Sequence, residues 1–119
     1  MKTPKRILER RKSVRVNEAL PFRIGHKGFE LEAVTVNIGT SGAMCLVDRD
    51  IPMMTQLDIL LSVPAAGAKG RGSSEMSIKG VVVRKEKDLA REKFYIAIFF
   101  SKIFPKDQKL LKKFIDTHA

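Results

Sequence analysis

The sequence predicts a mostly β chain of six strands, closed by one α-helix and led by a basic N-terminal arm. Three observations predict it. Short apolar or alternating runs recur along the middle of the chain, each bounded by turn residues. Helical spacing of apolar residues occurs only in the last fifteen positions. The first fifteen residues carry seven cations (Lys2, Lys5, Arg6, Arg10, Arg11, Lys12 and Arg15) against the single acid Glu9, with no sustained apolar face.

The elements follow in order. Residues 1–16 read as an arm that stays mobile until something anionic orders it, and residues 17–119 as one domain. Ala19–Ile24 is expected as the first strand, and Gly25-His26-Lys27-Gly28 as a turn whose two glycines are free to take positive φ. Phe29–Ile38 is the second strand. Phe29, Leu31 and Ala33 alternate on one face, whereas Val34, Val36 and Ile38 have the opposite parity. A phase slip between Ala33 and Val34 is therefore expected, as a β-bulge or strong coiling. Ala43–Val47 is the third strand, and the Pro52-bearing stretch Asp48–Met54 a connection. Gln56–Val63 places Leu57, Ile59 and Leu61 on one face of the fourth strand. The Gly-, Ala- and Ser-rich stretch Pro64–Ser74 reads as an exposed loop. Met76–Arg84 and Phe94–Phe100 are the fifth and sixth strands, joined by the charged connection Lys85–Lys93. Such a series favours an antiparallel barrel or sandwich. The helix is expected at about 105–117. Pro105 suits its first turn, Leu110, Leu111, Phe114 and Ile115 form its apolar stripe, and Lys109, Lys112 and Lys113 lie toward its C-terminal half. So short a helix needs packing against the strands for stability.

Composition narrows the functions. At 119 residues and 44% apolar content the chain can fill one core, and its net charge of +10 favours anionic partners. A single cysteine, Cys45, allows no internal disulfide and reads as a small buried hydrophobe. The N-terminus lacks the apolar stretch of a signal peptide, and no apolar run is long enough to span a bilayer, so the expected location is the cytoplasm. No enzyme is expected. His26 falls in a predicted turn, His118 at the C-terminus, and neither belongs to a metal-ligand spacing, so no metal or cofactor is expected. There is no phosphate-loop signature and no nucleophile elbow. Asp48 and Asp50 form a close acidic pair that a polar loop explains.

Two motifs flank the first predicted hairpin. Arg10-Arg11-Lys12-Ser13-Val14-Arg15 supplies guanidiniums, whose planar forks bind phosphate and whose faces stack on rings. Asn37-Ile38-Gly39-Thr40-Ser41-Gly42 ends a strand with an amide suited to a base edge and two glycines that permit unusual backbone and let a ligand approach the main chain. Each alone has a structural explanation, a solvated basic run and an ordinary turn.

Together, the basic RRxxxR arm, one hairpin, NxGxxG, further strands and a terminal helix resemble the PilZ domain family over nearly the whole chain. Gly80–Arg84, Phe94–Phe100 and the helix ending near Phe114-Ile115 are similar to its late elements. The resemblance implies a six-stranded antiparallel barrel that binds the bacterial second messenger cyclic di-GMP. The family pattern is RxxxR followed by [DN]xSxxG. By it, Arg11 and Arg15, assisted by Arg10, grip phosphate and stack on guanine; Asn37 bonds a guanine edge; Gly42 holds the turn. Gly39 stands where the family has serine. The missing hydroxyl is expected to cost roughly 0.5–1.5 kcal/mol, so binding is weakened rather than abolished.

The expected mechanism is a ligand-ordered switch. Two phosphates let the arginines converge, the arm folds over the barrel beside Asn37–Gly42, and a downstream protein senses the changed surface. By resemblance that partner belongs to motility, pilus or polysaccharide output. One alternative keeps the fold as a protein-interaction adaptor without nucleotide. Another is a general nucleic-acid binder. It is disfavoured because Trp is absent, Tyr occurs once, and the seven Phe fall mostly in predicted core positions rather than on a stacking groove.

Overall fold

The computed structural model describes residues 14–64 and 73–119. Seven strands and one helix follow in order: β1 (Arg15–Val16), β2 (Pro21–His26), β3 (Phe29–Gly39), β4 (Gly42–Val47), β5 (Gln56–Pro64), β6 (Ser73–Asp88), β7 (Lys93–Ile103) and α1 (Pro105–His118). All pairings are antiparallel, in the order β3-β2-β5-β6-β7-β4, and β4 returns to pair with β3. Six strands thus close a ring, and closure removes the open edges a flat sheet would present. The two-residue β1 adds to β3 outside that ring.

The inward-facing residues make one core. Ile24, Ile38, Met76, Ile96, Cys45 and Val82 are fully buried and come from five of the strands. α1 buries Leu111, Phe114 and Ile115 and packs beside β1 and β3. Pro105 begins it, and Asp107 in its first turn suits the positive end of the helix dipole. Leu110, expected on the buried stripe, is instead 39% exposed. The stripe is the narrower set at positions 111, 114 and 115.

β2 and β3 are joined by the two-residue turn Lys27–Gly28, where Gly28 takes φ 81°. Gly25, expected in the turn, is strand and pairs with Glu30. The expected irregularity of β3 is present but sits further along. Pairing with β2 is regular through Val34, and the register with β4 slips between Thr35 and Asn37, leaving Val36 as the extra residue. Val34 and Thr35 keep the alternation of Phe29, Leu31 and Ala33, Val34 outward and Thr35 inward; Val36 also faces outward, and the slip beyond it lets Ile38 turn inward. A β-branched threonine fits a strand interior once its hydroxyl is bonded. The connection expected over Lys85–Lys93 is mostly strand: β6 runs on to Asp88, and only Leu89–Glu92 turn. Lys85, Glu86, Lys87 and Asp88 pair with Ile96, Tyr95, Phe94 and Lys93 as a charged ribbon. Within the expected loop Pro64–Ser74, Pro64 pairs with Ser73, and 65–72 lie outside the described residues.

Candidate functional site

The site begins where β1 takes over an edge of β3. β2 accompanies β3 as far as Val34; further along, Arg15 and Val16 lie opposite Gly39 and Ile38. Arg15 and Val16, assigned from sequence to the arm, are paired strand. Val16 is buried, which anchors the pair to the core.

Thr35 fixes the link that follows β1. Its hydroxyl donates to the Glu18 carbonyl and accepts from the Leu20 N–H at 2.8 Å, while its own N–H donates to the Leu20 carbonyl at 3.0 Å. It is the one buried polar residue among the described residues. By sequence alone, a lone threonine between valines looks solvent-facing. The available signal was its parity with Phe29, Leu31 and Ala33.

Residues opposed across an antiparallel pair share a face, and residues two apart on one strand share it too. Arg15 therefore stands over Gly39, with Asn37 as its diagonal neighbour. Gly39 leaves that space open. A β-carbon there would lie 3.3 Å from Arg15 Cγ and 2.8 Å from the Val14 carbonyl oxygen. Through this gap Arg15 Nε donates to Asn37 Oδ1 at 2.7 Å. Partial burial of Arg15 lowers its pKa from the usual arginine value; a guanidinium nonetheless stays charged at any ordinary pH. Among the described residues no carboxylate pairs with Arg15. Its charge is thus oriented by an amide and left uncompensated, which suits an anion.

Gly42 closes the other side of the turn. It pairs with Phe99, and a β-carbon on it would run into the Ile98 carbonyl. The Phe100 N–H donates to the Ser41 carbonyl at 2.8 Å, so the turn is tied to β7. Among the described glycines only Gly28 takes a positive φ. The two motif glycines therefore make room for neighbouring protein groups, Val14 and Arg15 at Gly39 and Ile98 at Gly42, and neither adopts an unusual backbone. Arg10 and Arg11 lie outside the described residues.

Other chemistry-bearing groups are engaged elsewhere. His26 Nδ1 lies 2.7 Å from the Gln56 carbonyl oxygen and His118 Nδ1 2.9 Å from that of Phe114. Asp50 pairs with Lys85 at 2.5 Å. Burial in the core pushes the Cys45 thiol pKa up, so it is a poor nucleophile. Among the described residues no group of three or more side chains could hold a metal ion, and no helix is long and apolar enough to cross a membrane. A cavity of about 700 Å³ near the opposite end of β3 is lined by Arg23, His26, Phe29, Asp58, Lys79 and Phe104. Two of its cations are paired, Arg23 with Glu32 and Lys79 with Asp58, while Lys102, also in its lining, has no acidic partner among the described residues.

Comparison with known proteins agrees with this fold. The PilZ domain family model matches residues 9–117. The fold is similar to that of the Bacillus subtilis inhibitor of motility MotI/DgrA, with a TM-score of 0.77 and 19% identity over 89% of this chain and 49% of that one. This chain thus spans about half the length of that protein. It is also similar to the PilZ domain of YcgR from Escherichia coli, solved with c-di-GMP, with a TM-score of 0.61 and 14% identity over 92% and 91% of the two chains. Among curated protein sequences none matches. A family match over nearly the whole length, on a closed six-stranded antiparallel barrel with one C-terminal helix, makes this chain a member of the PilZ domain family.

Proposed function

We propose that this chain is a receptor for cyclic di-GMP that signals to a protein partner. Arg10, Arg11 and Arg15 grip the phosphates and stack on guanine, and Asn37 holds a guanine edge. Gly39 and Gly42 shape the corner against which the ligand lies. The observation that carries this reading is the Arg15–Asn37 pair, at 2.7 Å, beside a guanidinium with no acidic partner among the described residues. Asn37 accepts from Arg15 through its oxygen and still has its NH₂ group to offer to the O6 and N7 acceptors of guanine. Similarity to a PilZ domain solved with c-di-GMP supports the choice of ligand.

Titration calorimetry tests it, with GTP and cyclic AMP as controls. The wild type is expected to bind cyclic di-GMP selectively. Arg15→Ala removes a charge-assisted contact of roughly 1.5–3 kcal/mol, so affinity falls about ten- to 150-fold. Equal binding by both proteins, unchanged by salt, would take Arg15 out of the site.

A second reading, a protein adaptor without nucleotide, draws on a different observation. Outward residues of this barrel include Phe99 at 52% exposure and Val34 at 48%, together with Val36 and Val83. Solvent-facing positions of an antiparallel sheet are ordinarily polar. With a net charge of +10, the protein suits a partner with an apolar patch in an acidic surround. Absence of heat with cyclic di-GMP would leave this reading standing in place of the first.

A further inference from the structure

From the contacts around Gly39 we infer that this glycine is a positioning residue, whose missing side chain holds Arg15 on Asn37 before any ligand arrives. The affinity half of the argument rests on the cyclic di-GMP reading; the geometric half does not. The family pattern has serine here, and that pattern alone makes Gly39 a simple loss of one hydroxyl. The register gives it a different meaning. Arg15 lies directly opposite Gly39, so a side chain at 39 would compete with the Arg15 stem for the same space. The competition is close. The position a β-carbon would take is 2.8 Å from the Val14 carbonyl oxygen, 3.3 Å from Arg15 Cγ and 3.7 Å from Arg15 Nη1. The first of these is backbone, so relief requires moving β1 itself. The Gly39 φ is not in the left-handed region, so the requirement is for space and not for backbone freedom.

β1 is anchored at Val16, beside α1, but its Arg15 end can yield when pushed. It has two residues, it pairs only with β3, and it lies outside the closed ring. Displacing it lengthens the 2.7 Å bond from Arg15 Nε to Asn37 Oδ1. The ligand then meets an unoriented guanidinium and must order it at an entropic cost. Gly39 therefore exchanges a ligand-facing hydroxyl for a prepositioned arginine. Restoring the family serine does not improve this protein.

The experiment compares Gly39→Ser with Gly39→Ala in the full chain. The first adds a β-carbon and a hydroxyl, the second a β-carbon alone. Two readouts are taken. The Arg15 Nε–H resonance in ligand-free protein, assigned by its loss in Arg15→Lys, reports the pair directly by its protection from solvent exchange. Calorimetry with cyclic di-GMP reports affinity. Both variants are expected to lose the protected Nε–H signal while the amides of the ring keep theirs, and both to bind about tenfold more weakly, the loss of roughly one charge-assisted contact. Asn37→Ala, which removes the acceptor and leaves the space at 39 open, is expected to lose the Nε–H protection as well. Retained protection in Gly39→Ala overturns the inference. So does tighter binding by Gly39→Ser with unchanged binding by Gly39→Ala, which would make the hydroxyl the whole story. Collapse of ring-amide protection in Gly39→Ala also overturns it, by showing that Gly39 serves the barrel and not Arg15. If the wild type shows no heat with cyclic di-GMP, the ligand reading fails alone, and the Nε–H comparison still decides the role of Gly39.

Discussion

The closed ring and the β1 edge are built from the same backbone hydrogen bonds but hold their residues in different ways. Every ring strand pairs with a neighbour on each side and contributes fully or nearly fully buried side chains such as Ile24, Ile38, Cys45, Ile59, Val82 and Ile96. β1 pairs on one side over two residues and is held by buried Val16 and by the Thr35 bonds to the link behind it. Geometry in the ring is therefore overdetermined by packing, whereas at the edge it depends on a few identifiable contacts. Arg15, whose guanidinium has no acidic partner among the described residues, sits on the edge. Local openings of such weakly held segments cost less than global unfolding, and binding elements are drawn from them.

The contrast can be broken first from the ring side. Ile24→Ala deletes a wholly buried side chain and leaves a cavity. A destabilisation of about 2–5 kcal/mol is expected, a large share of the roughly 5–15 kcal/mol available to a domain. Urea titration followed by circular dichroism checks it; a loss under about 1 kcal/mol would mean the core repacks freely. Next in size is Gly42→Ala. Its β-carbon meets the Ile98 carbonyl, a backbone group of the ring that cannot step aside as β1 can. Overpacking of this kind costs about 1–3 kcal/mol. The melting temperature is expected to fall by several degrees, and by more than for Gly39→Ala, although both variants add the same single carbon. Equal shifts would remove the distinction between ring and edge.

Thr35→Val probes the joint between the two regions. Valine keeps the shape and the strand preference but deprives the Leu20 N–H and the Glu18 carbonyl of their partner. A buried donor left unpaired costs about 1–3 kcal/mol. Hydrogen exchange is expected to show the amides of residues 15–20 losing protection well before those of β5 and β6. Uniform loss across the barrel would place Thr35 in the ring.

The same contrast explains what was legible in the sequence. Ring strands announce themselves through apolar periodicity, and five of the six expected strands match to within a few residues at each end. Periodicity misled where polarity and direction part company. Val34, Val36 and Ile38 look alike by composition, yet regular alternation with a bonded Thr35 puts both valines outward, and a one-residue bulge at Val36 turns only Ile38 inward. Charge makes Lys85–Asp88 look like a connection; a two-stranded ribbon satisfies its backbone by pairing and needs no apolar face. β1 carries no periodic signal, since two residues cannot show one. The motifs point to Asn37, Gly39, Gly42 and Arg15 but not to how they stand to one another. That Arg15 stands on Gly39 follows from register, and register depends on where β2 leaves β3.

The smallest expected effect on stability is the most informative about function. Arg15→Ala removes an exposed bond and no buried side chain, so the ligand-free protein is expected to change by no more than about 0.5 kcal/mol. The difference appears when ligand is added. A ligand that binds only the folded state stabilises it by RT ln(1 + [L]/Kd). At cyclic di-GMP a hundredfold above the wild-type Kd, this amounts to about 2.7 kcal/mol for the wild type. If Arg15→Ala binds about tenfold more weakly, the same concentration gives about 1.4 kcal/mol, half the upward shift on a melting curve. Ring variants behave in the opposite way. Ile24→Ala lowers the ligand-free melt and keeps the full ligand increment, because it leaves the corner intact. A melting experiment with and without ligand therefore separates the two regions in one plot. A loss of ligand increment in Ile24→Ala, with none in Arg15→Ala, would place the binding energy in the barrel and leave the arginine edge without a function.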